Sequence, residues 1–119
     1  MLVDTSVRIN HFSQANGDLE QRLDEGRIAT HPFVIGELAC GSLRQLTDVL
    51  HLIEALPFAP VATYDEVLAF IERQHLSASG LGWIDMHLLA SARLARQSLW
   101  SADRHLRETA TRLGLTGAE

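Results

Sequence analysis

Short apolar segments alternate with helix-forming segments along this 119-residue chain, and the alternation constrains the fold more than any other feature. Strand-like segments lie at residues 1–3, 27–30, 58–61 and 97–100. Helical patterns fill the intervals, at residues 5–15, 18–24, 33–41, 43–55, 63–75, 84–95 and 104–113. Alternating strands and helices favour a parallel sheet with helices on both faces. We therefore predict a three-layer α/β/α arrangement.

Local signals set several of these boundaries. Thr63 followed by Glu66 predicts a capping box, in which each side chain satisfies a backbone donor at a helix start. Pro32 suits the first turn of the helix at 33–41, and Gly114 suits the end of the last helix. The small residues at 77–82 predict a loop.

Composition and charge exclude several classes of protein. A hydrophobic fraction of 46% with 21% charged residues predicts one globular domain over residues 1–119. The longest uncharged stretch, Gln74 to Ile84, falls short of the roughly 18–20 apolar residues that span a membrane. Because Asp4 interrupts the apolar start, we expect no secretory signal and a cytoplasmic protein without membrane association.

The cysteine and the basic residues exclude further kinds of site. A lone cysteine, Cys40, excludes an internal disulfide and a cysteine-based zinc framework, and we expect it to be a small packing residue. All ten basic residues are arginine, so a Schiff-base lysine and a phosphate-loop lysine are both excluded. The net charge of -5 argues against binding nucleic acid through a broadly basic face.

Two aspartates end strand-like segments, where ligands collect in open parallel sheets. Asp4 follows Leu2-Val3, and Asp103 follows Leu99-Trp100 with Ser101 between. Either aspartate alone is more often a helix cap. If the two strands are neighbours, however, the carboxylates lie side by side, and such a pair favours a hard cation.

Two further acids complete a candidate set. Asp85 opens the helix after Gly82, where the positive end of the helix dipole should keep a carboxylate ionised. Glu37 has apolar neighbours on both sides, so we expect a buried carboxylate that faces a metal ion or an arginine. We expect the six histidines to be surface or core-edge residues, because none shows zinc-protease spacing.

Two helical faces have apolar residues in excess of an obvious core and could dock a partner: Leu43, Leu46 and Leu50, and Val67, Phe70 and Ile71.

Four local signatures occur in order along the chain: Val3-Asp4-Thr5-Ser6, Gly36-Glu37-Leu38, Gly82-Trp83-Ile84-Asp85 with Leu88-Leu89-Ala90, and Ser101-Ala102-Asp103-Arg104-His105-Leu106. Together they resemble the PIN-domain nucleases, in particular the VapC-like toxins of bacterial toxin-antitoxin pairs. The resemblance implies a PIN-like α/β/α sandwich with a short, mostly parallel sheet of four to five strands. It also implies a Mg2+- or Mn2+-dependent endoribonuclease that cuts structured RNA such as transfer or ribosomal RNA, a cognate antitoxin and a homodimer.

The resemblance also assigns roles to individual residues. Asp4, Glu37, Asp85 and Asp103 occupy the catalytic acidic quartet, and Thr5, Ser6 and Ser101 match its supporting hydroxyls. Asp4, Asp85 and Asp103 are the expected metal ligands, while Glu37 positions the attacking water or a second ion.

Two other functions fit parts of the pattern. A non-catalytic α/β interaction module would use the same acids as helix caps or partner contacts. A phosphoacceptor signalling domain also gathers aspartates at strand ends, but it needs a lysine near them, and this chain has none.

Overall fold

The computed structural model describes residues 1–4, 28–41 and 46–116. Two strands, β1 (Leu2–Val3) and β2 (Leu99–Trp100), lie among five helices in these ranges. The helices are α1 (Pro32–Ala39), α2 (Leu46–Glu54), α3 (Tyr64–Arg73), α4 (Trp83–Ala95) and α5 (Arg104–Arg112). No helix in the described ranges is long and apolar enough to cross a membrane. The helices expected at 5–15 and 18–24, with Thr5 and Ser6, lie outside these ranges.

The helix starts follow the local capping signals. Thr63 Oγ1 accepts a hydrogen bond from the Glu66 N–H at 3.1 Å, and Glu66 Oε1 accepts one from the Thr63 N–H at 2.8 Å. The predicted capping box is therefore confirmed, and Pro32 occupies the first turn of α1 as expected. The prediction that the helical face of α3 continues to His75 is wrong. The helix ends at Arg73, because Gln74 is its C-cap and His75 has a positive φ of 55°.

The sheet is parallel, and its two regular strands are distant in sequence. Leu2 pairs with Leu99 and Val3 with Trp100. Isolated parallel bridges join Leu2 to Ala29 and Thr30 to Phe58, at the segments expected to be strands. On the other side of β2, the Leu99 N–H donates to the Leu115 carbonyl at 2.7 Å. The predicted parallel sheet is thus confirmed, with two strands of regular structure among the described residues.

The core contains the apolar faces of the helices and the buried strand residues. Leu88 and Leu89 of α4 are fully buried, as are Val34 of α1 and Leu106 of α5. Val67 and Phe70 of α3 belong to the same core, and Ile71 packs against it. The expectation that this face of α3 is available for docking is therefore wrong, because the protein's own core covers it. Leu50 of α2 also packs on the core, and Leu43 lies outside the described residues.

Candidate active site

Asp4 lies immediately after β1, in a buried position at the carboxyl end of the sheet. Its backbone N–H donates to the Trp100 carbonyl at 2.9 Å, which continues the pairing of β1 with β2. Its side chain is only 7% exposed, and its Oδ2 accepts a hydrogen bond from Ser101 Oγ at 2.7 Å. β1 and β2 are therefore neighbours, which is the condition under which the sequence predicts that Asp4 and Asp103 lie near each other.

Ser101 connects Asp4 to the second strand-end aspartate. The same Ser101 Oγ that donates to Asp4 accepts the backbone N–H of Asp103 at 3.0 Å. Asp103 is also the N-cap of α5, because its Oδ1 accepts the Leu106 N–H at 2.9 Å. One buried hydroxyl therefore fixes the segment that holds Asp103 relative to the Asp4 carboxylate.

Asp85 approaches this pair from the first turn of α4. Its Oδ2 accepts the Gly82 N–H at 3.1 Å. Burial raises the pKa of Asp85 above its ordinary value, and the charges of Asp4 and Asp103 raise it further. The Gly82 hydrogen bond and His105 act in the opposite direction. Desolvation outweighs the hydrogen bond at the helix start, so the pKa of Asp85 shifts upward, opposite to the direction that the helix start alone favours.

Glu37 occupies a different position from the three aspartates. It lies on α1, is exposed, and lines an apolar groove of about 460 Å3 between α1 and α4. Trp83 and Ile84, at the start of α4, form the facing wall. The expectation of a buried Glu37 is wrong, because its side of α1 faces this groove and the core lies on the side of Val34 and Leu38. Cys40 is also exposed at the groove, so the prediction that it is a packing residue is wrong.

The described acids do not form a complete metal cage. Within residues 1–4, 28–41 and 46–116, no group of three or more His, Cys, Asp or Glu side chains is arranged to hold an ion. The interactions that raise the pKa of Asp85 nevertheless place it within electrostatic range of both Asp4 and Asp103. Such a set of carboxylates is suited to a hard cation, since each oxygen is a ligand of the type that Mg2+ and Mn2+ prefer.

Two histidines close to the groove are buried, contrary to the sequence-based expectation. His31 is fully buried, and its Nδ1 accepts the Phe33 N–H at 3.0 Å as the N-cap of α1. Burial, with a smaller contribution from His87, lowers the pKa of His31 to about 4. His87 is buried on α4, and burial lowers its pKa as well. The prediction of surface or core-edge positions is wrong for both. His31 could have been found from Pro32, because a proline in the first helical turn makes the preceding residue the cap.

Comparisons with known proteins show the family of this chain. The family model described as PIN domain matches residues 1–112. The chain belongs to the PIN-domain family. It is also 41% identical over 120 aligned residues to Ribonuclease VapC32 of Mycobacterium tuberculosis, found in two strains. The alignment covers 100% of this chain and 97% of the relative. The resemblance to VapC-like PIN domains is therefore confirmed over the full length.

Proposed function

We propose that this PIN-domain chain is an endoribonuclease, the toxin of a toxin-antitoxin pair, and that it cuts RNA with Mg2+ or Mn2+. The observation that carries the proposal is the effect of the Asp4 and Asp103 charges on Asp85, together with the Ser101 hydroxyl that bonds both Asp4 and the Asp103 backbone. The full-length similarity to a protein named as a ribonuclease supports the same activity.

Three aspartates are proposed as the metal ligands. Asp4 follows β1, Asp85 lies in the first turn of α4 and Asp103 follows β2, and the charges of Asp4 and Asp103 act on Asp85. Ser101 holds Asp4 with a hydrogen bond, and the hydroxyls of Thr5 and Ser6 are proposed to assist it. When bound, the divalent ion would lower the pKa of the attacking water and neutralise charge on the scissile phosphate.

Glu37 is proposed to orient the attacking water from the groove. Its carboxylate is exposed on α1, beside the approach between α1 and α4. An exposed carboxylate can accept a hydrogen bond from a water that is aimed at a phosphate, which completes the acidic quartet. Cleavage by water in this geometry is proposed to leave a 5'-phosphate and a 3'-hydroxyl.

The proposal also covers the RNA substrate, the protein partners and the number of strands in the sheet. Structured RNA, such as transfer or ribosomal RNA, is the proposed substrate, and a cognate antitoxin protein is the proposed inhibitor. We further propose a cytoplasmic homodimer in which residues 1–119 form one domain. The bridges at Ala29 and Thr30 and the hydrogen bond to Leu115 support a sheet of four to five strand positions.

One observation favours a second candidate, a non-catalytic interaction module. Asp85 and Asp103 both accept backbone N–H groups at helix starts, as capping residues do. If capping were their whole role, the acids would contribute to stability alone, and the protein would bind a partner without cutting RNA.

RNA cleavage with matched variants separates the two candidates. We would incubate the purified protein with transfer RNA and ribosomal RNA, with Mg2+ or Mn2+ and with EDTA. The isosteric variants Asp4→Asn, Glu37→Gln, Asp85→Asn and Asp103→Asn should each lower cleavage on the order of 100-fold, because they remove a charge and keep the hydrogen-bonding shape. Asp65→Asn, in the first turn of α3, is the control and should cut normally. A wild type that cuts neither RNA in any metal would support the interaction module instead.

A further inference from the structure

We propose that His31 is a positioning residue that fixes the helix carrying Glu37 against the helix carrying Asp85. This role rests on the proposed nuclease function, because it concerns how two of the four acids are held. His31 precedes α1, contacts α4, and belongs to neither the acidic quartet nor its supporting hydroxyls.

Both nitrogens of the His31 ring are engaged, and each one bonds a different helix. Nδ1 accepts the Phe33 N–H at 3.0 Å in the first turn of α1. Because a backbone N–H can only donate, Nδ1 carries no proton, and the ring proton of the neutral histidine lies on Nε2. Nε2 is 3.1 Å from Ser91 Oγ on α4, so it donates to that hydroxyl. The neutral imidazole is therefore a two-ended connection between α1 and α4.

Aromatic rings fill the space between the two helices beside this connection. The Phe33 ring lies 5.2 Å from the His31 ring and 4.5 Å from the His87 ring, measured between centroids. The His87 ring lies 4.8 Å from the Trp83 ring, at the start of α4. The series runs from His31 to the wall of the groove that Glu37 lines. The spacing of α1 and α4 is thus set by rigid rings and two directed hydrogen bonds.

The choice of histidine at position 31 is informative because capping alone does not require it. Serine, threonine, asparagine and aspartate cap helices well, but their side chains are too short to satisfy a cap and also bond a neighbouring helix. A displacement of about 1 Å in a catalytic group can cost about 100-fold in rate. A residue that holds α1 and α4 in register therefore acts on catalysis through Glu37 and Asp85.

The test combines His31→Asn, Ser91→Ala and the double variant. Asparagine keeps a capping side chain for α1 and loses the bond to α4, while Ser91→Ala loses the same bond and keeps the imidazole cap. Each single variant should weaken Mn2+ binding, measured by calorimetry, or lower kcat for RNA cleavage by about 10- to 100-fold. The KM for RNA should change little, and the double variant should be no worse than the more impaired single variant.

Thr63→Ala is the matched control for lost stability. It removes the cap of α3, a helix that carries none of the four acids, so it should lower the melting temperature and leave kcat and Mn2+ affinity unchanged. If His31→Asn and Ser91→Ala behave like Thr63→Ala, the positioning role is overturned, and independent, additive losses would overturn it too. If His31→Asn does not fold, Ser91→Ala decides alone. A wild type that neither binds Mn2+ nor cuts RNA refutes the proposed function and the positioning role together, whereas an active wild type with unimpaired variants refutes only the positioning role.

Discussion

Asp85 and Asp103 are each subject to two opposing effects, helix capping and charge repulsion. Both accept backbone N–H groups at the starts of α4 and α5, which stabilises those helices. The charges of Asp4 and Asp103 also raise the pKa of Asp85, which is a sign of mutual repulsion. A change at either residue therefore alters capping and repulsion together, with opposite effects on stability.

This opposition gives a prediction for Asp103. Asp103→Ala loses the hydrogen bond to the Leu106 N–H and should lower the free energy of unfolding by about 0.5–2 kcal/mol, less the repulsion relieved. Asp103→Asn keeps a capping oxygen and removes the charge, so it should be at least as stable as the wild type without metal. Urea unfolding of the three proteins in EDTA measures the difference. Equal stability of the alanine and asparagine variants would contradict the capping role.

The sequence predicts site residues most directly where their position is local. Asp4, Asp85 and Asp103 are predicted because each follows a strand or opens a helix, and ligands of open parallel sheets collect at such positions. The environment of Glu37 was misjudged, because apolar neighbours in sequence do not show which side of a helix faces the core. His31 and His87 were missed for the same reason: their burial depends on how α1 packs against α4.

At the scale of elements, helix starts were more predictable than strands. The capping box of α3 and the proline of α1 involve residues within three positions of each other, so the sequence contains the whole interaction. Strand pairing joins Leu2 to Leu99 and Thr30 to Phe58, which are far apart in the chain. The sequence therefore indicated where strands lie, while the extent of regular pairing required the folded structure.

The cap of α1 should make stability depend on pH. Nδ1 of His31 must stay unprotonated to accept the Phe33 N–H, and burial lowers its pKa from 6.5 to about 4. Between these values the unfolded chain binds a proton that the folded chain does not. Stability should therefore fall as the pH drops below about 6.5 and level off below about 4, with a loss of up to about 3 kcal/mol.

Comparison with His31→Asn isolates this contribution. The acids and His87 remain in both proteins, so the difference between their free energies of unfolding reports on His31. Chemical denaturation at intervals from pH 7.5 to pH 4 should show the wild type losing more stability than the variant. Parallel curves for the two proteins would show that His31 does not carry the predicted dependence.

At the scale of the whole molecule, the pairing of β1 with β2 brings acidic residues from opposite ends of the chain to the same end of the sheet. Asp4 and Ser101 are separated by 97 positions, yet a 2.7 Å hydrogen bond joins them. Asp85 reaches the same region from a third element. Because these carboxylates repel one another when ionised, the folded state without a cation carries an energetic cost that the unfolded chain lacks.

A divalent cation should relieve that cost and raise the melting temperature. An ion that binds only the folded protein stabilises it by about 2.7 kcal/mol at a concentration of 100 times its Kd. For a domain of this size, each kcal/mol of added stability raises the melting temperature by on the order of 2–8 °C. We therefore expect Mn2+ or Mg2+ at millimolar concentration to raise it by several degrees. Asp4→Asn should melt at a similar or higher temperature than the wild type in EDTA, and its response to Mn2+ should be strongly reduced.

Ca2+ and added NaCl at matched ionic strength separate specific binding from screening. A wild type whose melting temperature is insensitive to Mn2+ and Mg2+ would remove the metal ligands from the proposed function and leave the three aspartates as helix and strand caps.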